Sequence, residues 1–396
     1  MPYPPSDGGA QAIHNTTIGL LKNNLDVNVL AINPSRNYVD VSSLPTEYIE
    51  ATNFISVYVN TDIRLVSLLL NFFKKDSYFI QRFKSIEFEE KLIEVLSNNS
   101  YDIIQLEHLY IFLYLDAIKK HSTAKIVFRP QNIEYVIWER YLKNINNPLK
   151  KLFIKTATKR LKKFEKSESG KVDGVIALTK DDATIFRMFV ENKPVVDIPM
   201  GFDFGDLKNY DFNEQYIDFP VFYHLGSMDW LPNEEAMRWF VDDILHLVIK
   251  KMPDVKIHIS GRNMQNYFYQ IKRKNVVVEG EIKNPIEYQK NKAIMIVPLK
   301  SGSGIRAKIV EGIALGKTII TTTIGAQGIK YTDGENLLIA DTPEKFAEQM
   351  YRCYLSQDFC KTIGENARKL SNENYHYITV AKEMIDFYTK LTSNEI

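Results

Sequence analysis

The chain is poor in cysteine, nearly balanced in charge and without long apolar runs, and each of these absences removes a class of function. Its 396 residues hold two cysteines, Cys353 and Cys360. With no second Cys pair and no His cluster beside them, they read as reduced thiols, not as a disulfide framework or a zinc site. A formal net charge of +1 argues against a nucleic-acid partner, which calls for a strongly basic face. No apolar run approaches the roughly 18 residues of a membrane span, and no secretory signal is visible at the start. No Asp-x-Asp at a strand end suggests a metal. We expect a cytoplasmic protein of about two domains, because a chain of this length exceeds what one core usually covers.

What is present is an alternation, made twice over, of apolar strand-like runs with amphipathic helical stretches. This is the pattern of an α/β protein with two doubly wound, Rossmann-like domains. The first set of runs includes 27–32, 102–106, 124–129 and 174–178, and the second 221–225, 255–259, 276–278, 293–297, 318–321 and 337–339. Residues 1–200 form the expected first domain and 220–378 the second. Between them, 201–219 is rich in Gly and Asp without periodicity, which suits a linker.

The most informative stretch is AIMIVPLKSGSGIRAKIVEGIAL, 293–315. Residues 293–298 read as a fully buried parallel strand, and the loop that leaves such a strand at its carboxyl end sits where open α/β sheets bind ligands. Gly302 and Gly304 allow close backbone approach. A helix is expected from about Ile305 to Gly316, with its free N–H groups and positive dipole end toward any anion in the loop. Arg306 and Lys308 add full charge. Lys308 and Glu311 fall on the face opposite Ile309 and Ile313, so Glu311 is placed to accept from hydroxyls such as a ribose diol. The plainer reading is a surface Lys308–Glu311 pair worth about 0.2–0.5 kcal/mol, with the glycines as a turn. A second patch, VFYHLGSMDWLPNEEAMRWF at 221–240, reads as strand, Gly226 turn and a helix N-capped by Asn233, with Glu234 and Glu235 in the first turn.

Together these segments resemble the nucleotide-sugar site of family 4 glycosyltransferases, two-domain enzymes of the GT-B fold whose domains face across a cleft. The family signature is two glutamates separated by seven residues. Glu311 matches the second, and the first falls on Ser303, as in the branch whose loop reads like SGSGIRxKIxE. GSMDWLPN resembles the opening loop of the second domain in that branch. Most of the family carries an Arg and a Lys in this loop to neutralise the donor diphosphate, and this chain has neither, so the resemblance leaves Arg306 and Lys308 as their replacements. PYPPSDGGAQAIHN resembles the family's first glycine loop, with the Gly8 and Gly9 amides toward the donor phosphate; the strand expected before that loop has no room in the seven residues before Gly8. The segment from 198 resembles the family's interdomain linker, and the last helix, 379–396, is expected to return to the first domain.

The resemblance implies a retaining, hexosyltransferase-type enzyme in which a nucleoside diphosphate sugar is co-substrate and neither cofactor nor metal is needed. Gly8, Gly9, Gly226, Ser303, Gly304, Ile305, Arg306, Lys308 and Glu311 are the implied donor-binding residues, and Arg306, Lys308 and Gln131 the implied catalytic ones. Relatives usually show His where Gln131 stands; Gln keeps a hydrogen-bonding amide but cannot shuttle a proton. On the acceptor side, a saccharide or lipid-linked glycan, the candidates are His108, Asn132, Glu134 and Arg82. For His108 the competing reading is a packed core histidine, for Glu134 a helix start, and for the aromatic segment 76–83 around Arg82, read as a loop, plain packing. The alternatives in function are a nucleotide-sugar epimerase of the same fold and a sugar-nucleotide-binding protein without activity. Finally, KKLFIKTATKRLKKFEK at 150–166 carries eight basic residues and one acidic residue, with Leu152, Phe153, Ile154, Leu161 and Phe164 as an apolar side. It suits peripheral contact with an anionic membrane at its inner face; a solvated face on a domain-packing helix is the plainer reading.

Overall fold

The computed structural model describes residues 1–5, 8–62, 77–143, 147–205, 207, 210–302, 305–393 and 395–396. The chain forms two units, Met1–Gly201 with Tyr377–Ile396, and Phe202–His376.

In the first unit, β1 (Leu30–Pro34) pairs in parallel with β2 (Ile55–Val59), and β3 (Ile103–Leu106), β4 (Lys125–Phe128), β5 (Gly174–Ala177) and β6 (Val195–Asp197) form a separate parallel sheet in that order. Two of these strands, β2 and β6, lie outside the runs singled out in the sequence, and β1 begins three residues later than the run at 27–32. The described residues before Gly8 form no strand. Strand alternation sorts the core into two faces. Phe128, Val175 and Ala177 pack with Phe112 and Phe186, while Val127 and Ile176 pack with Val380, Met384 and Phe387. The second face is closed by helix α6 (Tyr377–Thr392), which also runs along α1 (Gly8–Lys22). Helices α2 (Glu134–Lys143) and α3 (Pro148–Ser169) pack together on the same unit. The segment 76–83 holds a short helix, Tyr78–Gln81, where a loop was expected.

The second unit is one six-stranded sheet built from β7 (Val221–Leu225), β8 (Lys256–Ser260), β9 (Val276–Gly280), β10 (Ile294–Val297), β11 (Thr318–Thr321) and β12 (Leu338–Ile339). All pairings are parallel, in the order β12-β11-β10-β7-β8-β9. Every residue of β10 and β11 is buried, as strands covered by helices on both faces must be. Strand order runs outward in both directions from the β7–β10 pair, and that reversal opens a crevice at the carboxyl ends of those two strands. The helices facing it are α4 (Leu231–Trp239), after β7, and α5 (Ala307–Ala314), after β10. Cys353 and Cys360 are buried free thiols in this unit.

Candidate active site

The loop after β10 and the turn after β7 meet at the switch point. Ser303 and Gly304 lie outside the described residues. Gly302 has φ +124, a region that favours glycine, and a Cβ there would come within 2.8 Å of the Arg306 guanidinium. Arg306 is the N-cap residue of α5, so the helix begins at Ala307, two residues later than expected, and Ile305 stands outside it. The guanidinium also reaches 3.5 Å from the carbonyl of Ile324, so it bridges the loops after β10 and β11.

Lys308 sits in the first turn of α5. It makes no ion pair with Glu311 or with any other carboxylate among the described residues. Its Nζ donates instead to Asn233 Oδ1 at 2.7 Å. This corrects the reading of Asn233 as an N-cap: Trp230 occupies the cap, Pro232 lies in the first turn, and Asn233 falls inside α4. Its side chain turns inward, with Nδ2 donating to the Ser227 carbonyl at 2.8 Å. Burial and then the neighbouring Arg306 charge lower the Lys308 pKa to about 7. Glu311, three residues on, presents an exposed side chain whose carboxyl is partly shut off from water, and this desolvation raises its pKa above the ordinary range. Ile309 and Ile313 are buried on the opposite side of α5.

Gly226 leaves the space in which this cluster forms. A Cβ at that position would lie 2.7 Å from Lys308 Nζ, 3.0 Å from Asn233 Nδ2 and 3.2 Å from His224 Nε2. His224, the fourth residue of β7, is fully buried, and nothing in the sequence singled it out. Glu235, expected in a first turn beginning at Asn233, lies beyond the first turn of α4 and accepts from Ser301 Oγ at 2.5 Å, so fixing the loop from α4.

The first unit carries a second polar cluster at the carboxyl ends of β3 and β4. Glu107 is its hub. Its carboxylate accepts from Gln131 Nε2 at 2.7 Å, Gln105 Nε2 at 2.6 Å and Arg129 at 3.2 Å. Tyr388 of α6 donates in turn to Gln105. Arg129 is fully buried, and its Nε and second terminal nitrogen have no partner among the described residues. Sequence reasoning singled out neither Glu107 nor Arg129, since a lone acid and a lone base after two strands carry no local signal. The acceptor-side candidates lie nearby in part. His108 stacks on Tyr110 at 4.9 Å, Tyr110 stacks on Phe83 at 4.0 Å, and Arg82 lies 4.9 Å over the Phe83 ring. Glu134 opens α2; burial raises its pKa and the Arg82 charge works against that rise. Asn132 is exposed. Gly8 and Gly9 lie in the first turn of α1 and not in a loop before it. Among the described residues, no three His, Cys, Asp or Glu side chains gather as a metal would require.

Residues 219–356 match the family model described as Glycosyl transferases group 1. An uncharacterized 44.6 kDa protein in the cps region of Klebsiella pneumoniae is 23% identical over 305 residues, 73% of this chain and 75% of that protein. Among solved structures, the sucrose-phosphate synthase of Thermosynechococcus elongatus superposes with a TM-score of 0.66 at 14% identity, over 98% of this chain and 94% of the synthase. Anabaena HepE in complex with UDP superposes with a TM-score of 0.60 at 13% identity, over 98% and 97%. The fold is thus the GT-B fold, and residues 219–356 of the second unit are similar to the group 1 glycosyl transferases.

Proposed function

We propose that the chain transfers a hexosyl group from a nucleoside diphosphate sugar to a hydroxyl of a saccharide or lipid-linked glycan, with retention of configuration. The observation that carries this reading is Lys308, a largely buried amine with no carboxylate partner among the described residues, held at the switch point beside Arg306. A cation kept without a counter-charge is stabilised when an anion arrives, and a nucleoside diphosphate supplies one. Arg306 and Lys308 then face the phosphate oxygens, and Glu311 accepts from the ribose hydroxyls. As the bond from the anomeric carbon to the phosphate oxygen breaks, negative charge grows on the leaving group, where fixed cations are most effective. The acceptor hydroxyl attacks from the same face and its proton passes to the departing phosphate, so no separate acid–base pair is needed. Within the first unit, Gln131 keeps its Oε1 available for a sugar hydroxyl while Glu107 holds its amide nitrogen.

Helix α3 supports contact with anionic lipid. Lys151, Lys155, Lys159, Lys162, Lys163 and Lys166 are exposed, and so is Leu152 at 57%, which therefore does not join the packed apolar side. Sedimentation with vesicles of phosphatidylglycerol against phosphatidylcholine tests that contact.

A thermal-shift screen of uridine, guanosine and adenosine diphosphates and their sugars tests the donor, since a ligand at a hundred times its dissociation constant stabilises by about 2.7 kcal/mol. No shift with any of them sinks the proposal. Transfer should also continue in a chelator; activity lost there and restored by a divalent ion refutes the metal-free reading. A free epimer formed without acceptor would point to epimerisation instead.

A further inference from the structure

His224 is a buried histidine with one ring nitrogen committed and the other idle. Its Nδ1 lies 2.9 Å from the Ile296 carbonyl. A carbonyl only accepts, so Nδ1 carries the hydrogen and Nε2 presents a lone pair. Nε2 is buried and has no partner among the described residues, a state that normally costs free energy. The lone pair is not aimed at an apolar wall. The gap left by Gly226 brings Nε2 and Lys308 Nζ around a single point, at 3.2 and 2.7 Å from it. Burial and the Lys308 charge hold the imidazole well below its usual pKa, against the pull of the Ile296 carbonyl, so the ring stays neutral.

An ammonium has three N–H donors. Asn233 Oδ1 takes one. We propose that His224 is a positioning residue for Lys308: a small turn of the ammonium into the gap at Gly226 lets Nε2, unpaired among the described residues, accept its second N–H, so that the third points at a bound diphosphate. This rests on the diphosphate reading given above. The other charged groups around Lys308 do not substitute for the imidazole. Arg306 is a cation. Glu235 is held by Ser301, Glu234 is paired with Arg238 at 2.8 Å, and Glu311 forms no ion pair with Lys308. With the lone pair available, the charged form of Lys308 is favoured; without it, Lys308 loses its proton more readily.

The experiment measures the ionisation of Lys308 in the full chain by competitive acetic anhydride labelling across pH, read by mass spectrometry of the peptide that carries it. His224→Phe should lower the midpoint by about one pH unit. His224→Gln, which keeps an acceptor, should recover most of that shift. An unchanged midpoint in a His224→Phe chain that melts like the wild type overturns the proposal. If His224→Phe does not fold, His224→Gln against His224→Met makes the same comparison, and equal midpoints again overturn it. Uridine diphosphate and inorganic pyrophosphate separate this inference from the one beneath it. A His224-dependent midpoint that neither probe raises supports the positioning role while sinking the diphosphate reading; a midpoint raised by the probes but indifferent to His224 does the reverse.

Discussion

Arg306 and Lys308 differ in what their removal should do. The Arg306 guanidinium bridges two loops as a planar fork, whereas the Lys308 ammonium is a point charge on a flexible stem. Arg306→Ala should lose on the order of 10²–10³ in turnover, the scale of deleting one preorganised donor at a developing anion, with its melting temperature unchanged. Lys308→Ala should lose less. Steady-state kinetics beside a melting curve check both, and an Arg306→Ala chain that turns over normally would make the residue structural. Glu311→Gln exchanges charge-assisted hydrogen bonds of about 1.5–3 kcal/mol for neutral ones of about 0.5–1.5 kcal/mol, so donor affinity measured by calorimetry should fall while the fold persists. These three residues were legible because one local pattern, a glycine loop running into a helix, holds them all. Their partners were not. Asn233 and His224 stand some 70 and more positions earlier in the chain, and only the sheet topology brings them to Lys308. Local sequence even misled at Asn233, whose capping chemistry is the same whether it ends a helix or, as here, reaches across to another.

Helix α2 shows the same limit at the scale of an element. The residue before it, Ile133, has no side-chain acceptor with which to cap it. Glu165 of α3 reaches across instead, accepting from the Glu134 and Tyr135 amides at 2.9 and 3.0 Å. The sequence shows Glu165 only as the one acid in a run of basic residues, and its burial cannot be read from that run. Burial raises its pKa to about 8, against the two amide bonds that lower it. Glu165→Ala would leave two amides without an acceptor, at about 1–3 kcal/mol for each buried group. Glu165→Gln keeps one acceptor oxygen and should lose less. Urea denaturation gives the order, and equal stability of all three chains would mean that water replaces the carboxylate. Strands divide along similar lines. The buried runs of β4, β5, β10 and β11 were evident as continuous apolar segments. β6 has three residues, and β2 leaves Tyr58 largely exposed, so neither offered a clear period.

At the scale of the whole molecule, stability should depend on pH through a lysine far from the loop after β10. Lys317 is fully buried, with Nζ donating to the Gln289 carbonyl at 2.6 Å and to the Tyr210 hydroxyl at 3.1 Å. Burial foremost, then Lys292, lowers its pKa to about 7 from an ordinary 10.5. Between pH 7 and 10.5 the unfolded chain therefore binds more protons at this residue than the folded one, and stability climbs with pH across that window, by at most about 1.4 kcal/mol per pH unit for one proton. Below pH 7 the contribution is flat. Lys317→Met should flatten the climb, and an identical pH profile of unfolding in both chains would show that Lys317 stays charged. Two α/β units were readable from the alternation of runs, since that pattern repeats along the chain. The separation of β1–β2 from β3–β6 was not, because hydrogen bonding between strands leaves no mark on sequence order.

The return of the chain to its first unit has a consequence for how the protein is made. Helix α6 covers Val127 and Ile176 and lies along α1, yet Phe202–His376 must leave the ribosome before any of it. The usual order, in which the amino-terminal unit folds first during synthesis, is therefore inverted here. The second unit has all its strands while translation is still under way, whereas the first must wait with one face of its sheet uncovered. A chain stopped at His376 should yield a protease-resistant core from Phe202 onward and a first unit that is cleaved within minutes, and supplying 377–396 as a separate peptide should protect it again.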